Sequence, residues 1–196
     1  MTKTIAAFDF DGTITTKDTL IDFLCFSFGR KAFFLGMMKI SFVLVLFKLR
    51  LISNHSAKEK MFASFFKGMK IKKFTKLCQS YSIKIDKILN TRAMEKLNWH
   101  KHQGHSIVIV SASLENWIVP WAQNNDIHTI IGTQVEISNE LITGKFSTKN
   151  CYGSEKVNRL LALFPNRKEY QLYTYGDSRG DRELLEASDY KFLKCF

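Results

Sequence analysis

The chain has 196 residues, with 29 Lys and Arg against 18 Asp and Glu for a formal net charge of +11, and is 45% hydrophobic and 24% charged. That length allows one domain with a modest insertion, and with only 2 prolines and no Gly/Ser-rich or repeated tract, disordered, collagen-like and low-complexity classes are excluded. Cys25, Cys78, Cys151 and Cys195 never form a C-x-x-C pair, which argues against a zinc ribbon or a secreted disulfide framework and for reduced, intracellular thiols.

No secretory leader is read at the start, because the apolar run after Lys3 meets Asp9 almost at once. Residues 4–10 (TIAAFDF) predict a buried parallel strand whose acidic end faces a site. From Thr19 to about Gln103 the pattern turns helical, with Ser56-Ala57-Lys58-Glu59 as a capping box opening a helix through Phe66, and Gly29 and Gly68 as stops. Within it, residues 32–47 (AFFLGMMKISFVLVLF) are apolar except for Lys39 and Ser41, and are flanked by Arg30, Lys31, Lys48 and Arg50. A membrane span needs about 18 or more apolar residues, so this segment reads as a buried or an interfacial helix, and both remain open.

Residues 106–110 (SIVIV) predict a second strand, with Ser113 capping a helix that Pro120 kinks or shortens. A hairpin is expected over 133–146 around Ser138-Asn139-Glu140, then a helix over 153–164. Residues 170–175 predict a third strand running into Gly176-Asp177, followed by a short helix over 182–187 and an edge strand over 190–193. This alternation predicts an α/β fold, a Rossmann-like open parallel sheet formed by 1–14 and 104–196 with a helical cap over 15–103, and a site at the carboxyl ends of the strands.

The excess charge is local. Residues 30–80 hold twelve Lys and Arg and the single acid Glu59, so the rest of the chain is neutral overall. Eight phenylalanines fall in the same stretch. An apolar, basic surface suits an anionic partner, whether a phosphorylated substrate, an anionic lipid surface or nucleic acid, although lysine runs are also common on plain solvated faces.

The first strand ends in Asp9-Phe10-Asp11-Gly12-Thr13. Strand alternation puts Asp9 and Asp11 on one side and Phe8 and Phe10 in the core. Two carboxylates in one small space repel, and a shared proton or a metal cation relieves them. Gly12 permits a sharp exit that frees backbone N–H groups to face an anion. A strand merely ending in an acidic turn would be the plainer reading, but three more polar elements fall at later strand or helix ends. These are Ser111-Ala112-Ser113, Lys156, and Gly176-Asp177-Ser178-Arg179-Gly180-Asp181.

In this order and context the four elements resemble the haloacid dehalogenase-like phosphohydrolases, in the branch containing the phosphoserine phosphatases. The resemblance covers nearly the whole chain. It implies a phosphatase in which Asp9 is the nucleophile that forms an aspartyl-phosphate and Asp11 the general acid and base. It implies Mg²⁺ held by Asp9, the backbone carbonyl of Asp11 and Asp177, with Asp181 in support, and phosphoryl oxygens held by Ser111, Lys156 and the backbone at Gly12 and Ala112. Dehalogenases need neither an acid at position 11 nor a metal, so Asp11 favours phosphoryl transfer.

The same resemblance makes Asp18 a candidate reader of a substrate amino group, with a helix N-cap as the equal alternative, and Arg50 a candidate for a substrate carboxylate in an atypical context. The greasy, basic cap is more similar to that of bacterial phosphatidylglycerophosphate phosphatases of this superfamily, which act on a lipid headgroup. The reduced thiols imply a cytoplasmic protein, and from its composition the amphipathic, lysine-flanked cap could rest on the inner face of an anionic membrane, with a cap helix buried against its neighbours as the alternative. A nucleic-acid or membrane-binding module with a vestigial site is the reading from another class, weakened because every expected catalytic side chain is present and no nucleic-acid motif accompanies the charge. His100, His102 and His105 lie at a helix end without a cysteine or carboxylate partner and read as structural.

Overall fold

A computed structural model describes residues 3–196; Met1 and Thr2, on which part of the readings about the chain's start falls, lie outside the described residues. The chain begins with β1 (Lys3–Phe8) and passes into five helices, α1 (Thr19–Lys39), α2 (Ser41–Lys48), α3 (Asn54–Phe66), α4 (Ile71–Ile85) and α5 (Thr91–His102). It returns through β2 (Ser106–Leu114), α6 (Glu115–Asn124), β3 (Thr129–Thr133) and the hairpin β4 (Val135–Ser138) and β5 (Leu141–Phe146). It closes with α7 (Ser154–Leu163), β6 (Tyr170–Gly176), α8 (Arg182–Glu186) and β7 (Tyr190–Leu193).

The main sheet is five-stranded, in the order β3-β2-β1-β6-β7, and every pairing in it is parallel. From β1 the chain first builds outward through β2 and β3 and then crosses to build β6 and β7 on the other side. The reversal opens a crevice at the carboxyl ends of β1 and β6, where open α/β sheets bind ligands. β1 can sit at the centre because both of its faces are apolar. Ala6 and Phe8 join the larger core cluster with Phe10 and Trp121, while Ile5 and Ala7 pack with Val108, Val110 and Leu172 on the other face. Phe8 stacks on Tyr175 at 4.4 Å, fixing β1 against β6 one residue before the acidic turn.

Several local expectations are corrected. β1 ends at Phe8, not Phe10, although Asp9 still donates its N–H to the Tyr175 carbonyl at 2.9 Å. The α3 cap is Ser53, whose hydroxyl accepts from Ser56 N–H, because an N-cap needs an extended backbone and Ser53 has ψ 159°. Gly29 does interrupt the helix as expected, since at φ 78° and ψ 159° it separates α1 into two helical segments that meet at a kink. Ser113 caps nothing and serves Asp11 instead, while Pro120 is accommodated inside α6. β3 (Thr129–Thr133) is a further strand, ahead of the hairpin expected over 133–146, that the pattern does not predict. The hairpin turn itself is as expected, with Asn139 and Glu140 at φ 50° and 61° as a tight turn between twisted strands requires.

The hairpin forms its own two-stranded sheet and rests on α3, where Phe146 N–H donates to Glu59 Oε1 at 2.7 Å and Gly68 N–H to the Ile142 carbonyl at 2.8 Å. It lies outside the 15–103 segment yet shares that segment's packing. Both join one aromatic core around Phe23, which meets Phe66, Phe74, Tyr81 and Trp117 at centroid distances of 4.7 to 6.0 Å.

His100 is buried, its two ring nitrogens meeting His105 Nδ1 at 2.7 Å and the Tyr175 hydroxyl at 2.9 Å, so it is a satisfied core histidine. Burial first, then His105 and Lys96, pull its pKa down to about 4. Between about 6.5 and that value the unfolded chain binds a proton the folded chain refuses, so stability falls as pH is lowered through this window. Urea unfolding at pH 7 and pH 4.5 should therefore show an acid penalty in the native chain that is smaller in His100→Gln by up to about 3 kcal/mol. An equal penalty in both proteins would mean His100 does not carry it.

Candidate active site

The carboxyl ends of β1, β2 and β6 and the start of α7 converge on one cavity of about 410 Å³, lined by Asp9, Asp11, Gly12, Ser111, Ala112, Lys156 and Asp177 on the sheet side. Elements far apart in sequence thus meet because parallel strands all deliver their ends to the same edge. Asp18 lines the cavity too, while its carboxylate also accepts Ile21 N–H at 3.0 Å as the N-cap of α1, so the two alternatives for this residue coincide in place. Arg50 is not brought in. It sits exposed in the turn after α2, at φ 61°, outside the cavity lining.

Asp9 and Lys156 are buried, and Lys156 Nζ donates to Asp9 Oδ1 at 2.7 Å and to Asp181 Oδ1 at 2.6 Å. Burial alone pulls the ammonium down, but Asp9 and Asp181 outweigh it and hold Lys156 above its ordinary range. Burial pushes Asp9 up to about 7 against the pull of Lys156. Asp181 is anchored from its other oxygen, Oδ2, by Asp177 N–H, Ser178 N–H and the Ser178 hydroxyl at 2.9 to 3.2 Å. The turn after β6 is thereby tied to the lysine that touches Asp9.

One oxygen from each of Asp9, Asp177 and Asp181 lies within 4.8 Å of the others. Asp177 forms no ion pair among the described residues, and burial followed by repulsion from Asp181 pushes its carboxyl up. Lys156 thus leaves carboxylate charge uncompensated, and the all-oxygen donor set fits a hard divalent cation such as Mg²⁺. Gly12, at φ 75°, makes this closeness possible, since a Cβ there would lie 2.3 Å from Asp177 Oδ2.

Asp11 is held differently. Its Oδ1 accepts Thr19 N–H at 2.9 Å and the Thr19 hydroxyl at 2.6 Å, and its Oδ2 accepts the Ser113 hydroxyl. Thr19 also receives Trp117 Nε1 at 3.1 Å. These bonds fix the orientation of Asp11, which is not among the carboxylates of the Asp9, Asp177 and Asp181 cluster. Burial, then Asp18, push its carboxyl above the usual range, against Ser113, Thr19 and Lys58. Ser111 is buried and accepts Ser113 N–H at 3.0 Å, which shapes the loop after β2.

Lys58, Thr19 and Ser113 were not singled out for these roles. Lys58 Nζ donates to the Ala112 carbonyl at 2.7 Å, and burial lowers its pKa against the attraction of Asp11, Asp18 and Asp9. A signal existed in the spacing, because Asn54, Ala57, Lys58 and Met61 share one helical face and all line the cavity.

The model of the family described as haloacid dehalogenase-like hydrolase matches residues 6–186. Protein CicA of Caulobacter vibrioides is 29% identical over 196 residues, covering 98% of this chain and 86% of that protein. A solved protein of unknown function from Bordetella pertussis Tohama I superposes with a TM-score of 0.79 at 20% identity, over 95% of this chain and 87% of that one. A phosphoserine phosphatase solved with substrate bound superposes with a TM-score of 0.64 at 15% identity, over 98% and 86% of the two chains. The last two likenesses establish a common fold, and the family match spans the acidic turn, the Ser111 loop, Lys156 and the Asp177 turn together. The chain belongs to the haloacid dehalogenase-like hydrolases.

Proposed function

We propose that this hydrolase is a Mg²⁺-dependent phosphatase that cleaves a phosphomonoester through an aspartyl-phosphate on Asp9. The observation that carries this reading is the buried bridge from Asp9 through Lys156 to Asp181, beside the unpaired Asp177. Asp9, Asp177 and the backbone carbonyl of Asp11 would hold the metal, with Asp181 steadying Asp177. When bound, the ion supplies Lewis-acid polarisation of the phosphoryl group and offsets carboxylate charge.

The chain's own groups account for the rest. An Asp9 oxygen attacks phosphorus while the bond to the leaving oxygen breaks, and Asp11, protonated, gives that oxygen its proton. Asp11 then takes a proton from water as the water attacks phosphorus, which releases Asp9 and inorganic phosphate. A carboxyl pushed up by burial, and held by Thr19 and Ser113, suits both proton transfers. Ser111, Lys156 and the backbone at Gly12 and Ala112 would bind the phosphoryl oxygens, with Lys156 offsetting charge that spreads over them in the transition state. The helical segment over the cavity would act as a cap that excludes water.

The wall opposite the carboxylates contains Leu20, Ile21, Leu44, Phe47 and Met61 as well as Asp18 and Lys58. That lining favours a leaving group with an apolar portion over free serine, a second reading in which the substrate is a lipid phosphomonoester. Mg²⁺-dependent phosphate release from O-phosphoserine and from phosphatidylglycerophosphate in mixed micelles tests both. The lipid should be preferred; preference for phosphoserine would make the apolar wall a packing feature, release from neither would point to another phosphomonoester, and no release from p-nitrophenyl phosphate either would count against the phosphatase reading. Asp177→Ala should raise the Mg²⁺ concentration needed for half-maximal rate by about tenfold or more. An unchanged Mg²⁺ curve would remove Asp177 from the metal site.

A further inference from the structure

Half of the exposed large apolar side chains among the described residues fall in the short stretch from Phe34 to Leu51. They are Phe34, Leu35, Met38, Phe42, Val45, Phe47, Leu49 and Leu51, with Phe34 and Phe42 each 71% exposed. The sequence leaves open whether this segment is buried or interfacial; in the folded chain its inner side is half-buried, with Ile40 buried, and its outer side is exposed. The part of α1 beyond the Gly29 kink rests on α3, where Phe33 stacks on Phe65 at 6.3 Å and Gly36 lies so close that a Cβ would sit 2.2 Å from the Phe65 ring. Phe34, Leu35 and Met38 therefore point outward, and Phe42 and Val45 on α2 and Leu49 just after it recur at three- and four-residue spacing on the outer side.

The rim of this patch has one sign. Arg30, Lys31, Lys39, Lys48 and Arg50 are all exposed, and no acidic residue occurs between Asp22 and Glu59. No helix among the described residues is long and apolar enough to cross a membrane. Short helices with an apolar outer stripe and a cationic border lie in the plane of an anionic bilayer surface rather than through it. α2 also reaches the cavity, since Leu44 and Phe47 line it beside Asp18 and Lys58. A surface bearing on lipid through Phe42 and Val45 would bring the cavity wall to headgroup depth.

We propose that the outward face of α2 and of α1 beyond Gly29 docks on an anionic lipid bilayer, and that this docking presents a phosphomonoester headgroup to the cavity. The second half of this inference rests on the phosphatase reading, and the first half does not. A protein partner is disfavoured because it would need an apolar centre flanked by acidic groups matched to Arg30, Lys31, Lys39, Lys48 and Arg50, whereas an anionic bilayer offers both without a specific match. A second copy of this chain would bring two cationic borders together, which costs energy.

The test is co-sedimentation of the full chain with phosphatidylcholine vesicles, with and without phosphatidylglycerol, using Asp9→Asn alongside the native protein. Both proteins should bind the anionic vesicles and release them at high salt. Phe34→Ser combined with Phe42→Ser should weaken binding by about tenfold or more, and Lys39→Glu combined with Lys48→Glu by about fivefold per charge. In the same variants turnover of p-nitrophenyl phosphate should stay at the native rate while turnover of a vesicle-embedded lipid phosphomonoester falls. Failure of native protein to bind anionic vesicles, binding indifferent to both pairs of substitutions, or a dimer in sedimentation that disappears with Phe34→Ser and Phe42→Ser would overturn the inference. Vesicle binding without turnover of any phosphomonoester would leave the docking and sink the phosphatase reading; turnover without vesicle binding would do the reverse.

Discussion

Asp9→Asn is expected to lower phosphate release by at least about a hundredfold while leaving the folded chain intact. An amide has nearly the shape of the carboxylate but offers no nucleophilic oxygen of comparable basicity. It can still accept from Lys156 Nζ, which keeps its second bond to Asp181. The electrostatic consequence points the same way. Burial pushes Asp9 up to about 7, and Asp181 and Asp11 add repulsion, so the charged carboxylate is held at a cost that the amide relieves. The variant should melt no lower than the native chain. Loss of activity together with a clearly lowered melting temperature would assign Asp9 a structural role instead.

Lys156→Met is expected to remove activity and to destabilise the fold by about 3–5 kcal/mol, because it strips the single cation from between two buried carboxylates. Methionine fills much of the same volume, so the loss reports charge more than packing. The price falls mainly on Asp181, which is 1% exposed and whose Oδ2 already carries three hydrogen bonds. Added Mg²⁺ should recover part of the melting temperature if the carboxylates bind it, since a ligand of the folded state stabilises it. A variant with native stability would show that the bridge contributes little beyond orientation.

The fold was legible where chemistry and pattern agree locally. An apolar run ending in Asp-x-Asp-Gly would by itself read as a strand closing in an acidic turn, and it became a central strand meeting a polar site only with Ser111, Lys156 and the Gly176-Asp177 turn beside it. The polar Ser138-Asn139-Glu140 between two apolar runs marked the hairpin, although Glu140 at φ 61° is not a residue type that favours that conformation. β3 was missed because Thr129–Thr133 is only five residues long, follows α6 closely and merges by composition with the hairpin. Ser113 was misread because a serine just ahead of a helix looks the same whether its hydroxyl meets a backbone N–H or, as here, a carboxylate from β1.

Lys58 shows a different limit. Its role depends on α3 lying across the Ala112 carbonyl, a contact between residues 54 positions apart that no local window contains. The apolar stretch of residues 32–47 shows another, since a hydrophobic run by itself does not reveal which side the rest of the chain will cover. Phe33 and Phe34 are neighbours of the same type, yet one stacks on Phe65 and the other faces out.

The central claim is that Asp9 carries the phosphoryl group during turnover. It is tested most directly by quenching the protein during hydrolysis of p-nitrophenyl phosphate with Mg²⁺, reducing with borohydride and sequencing peptides by mass spectrometry. An acyl phosphate is reduced to the alcohol, so homoserine should appear at position 9 in the native chain and be absent without substrate. Steady turnover with unmodified Asp9, or with the reduced residue at another carboxylate, would contradict the account.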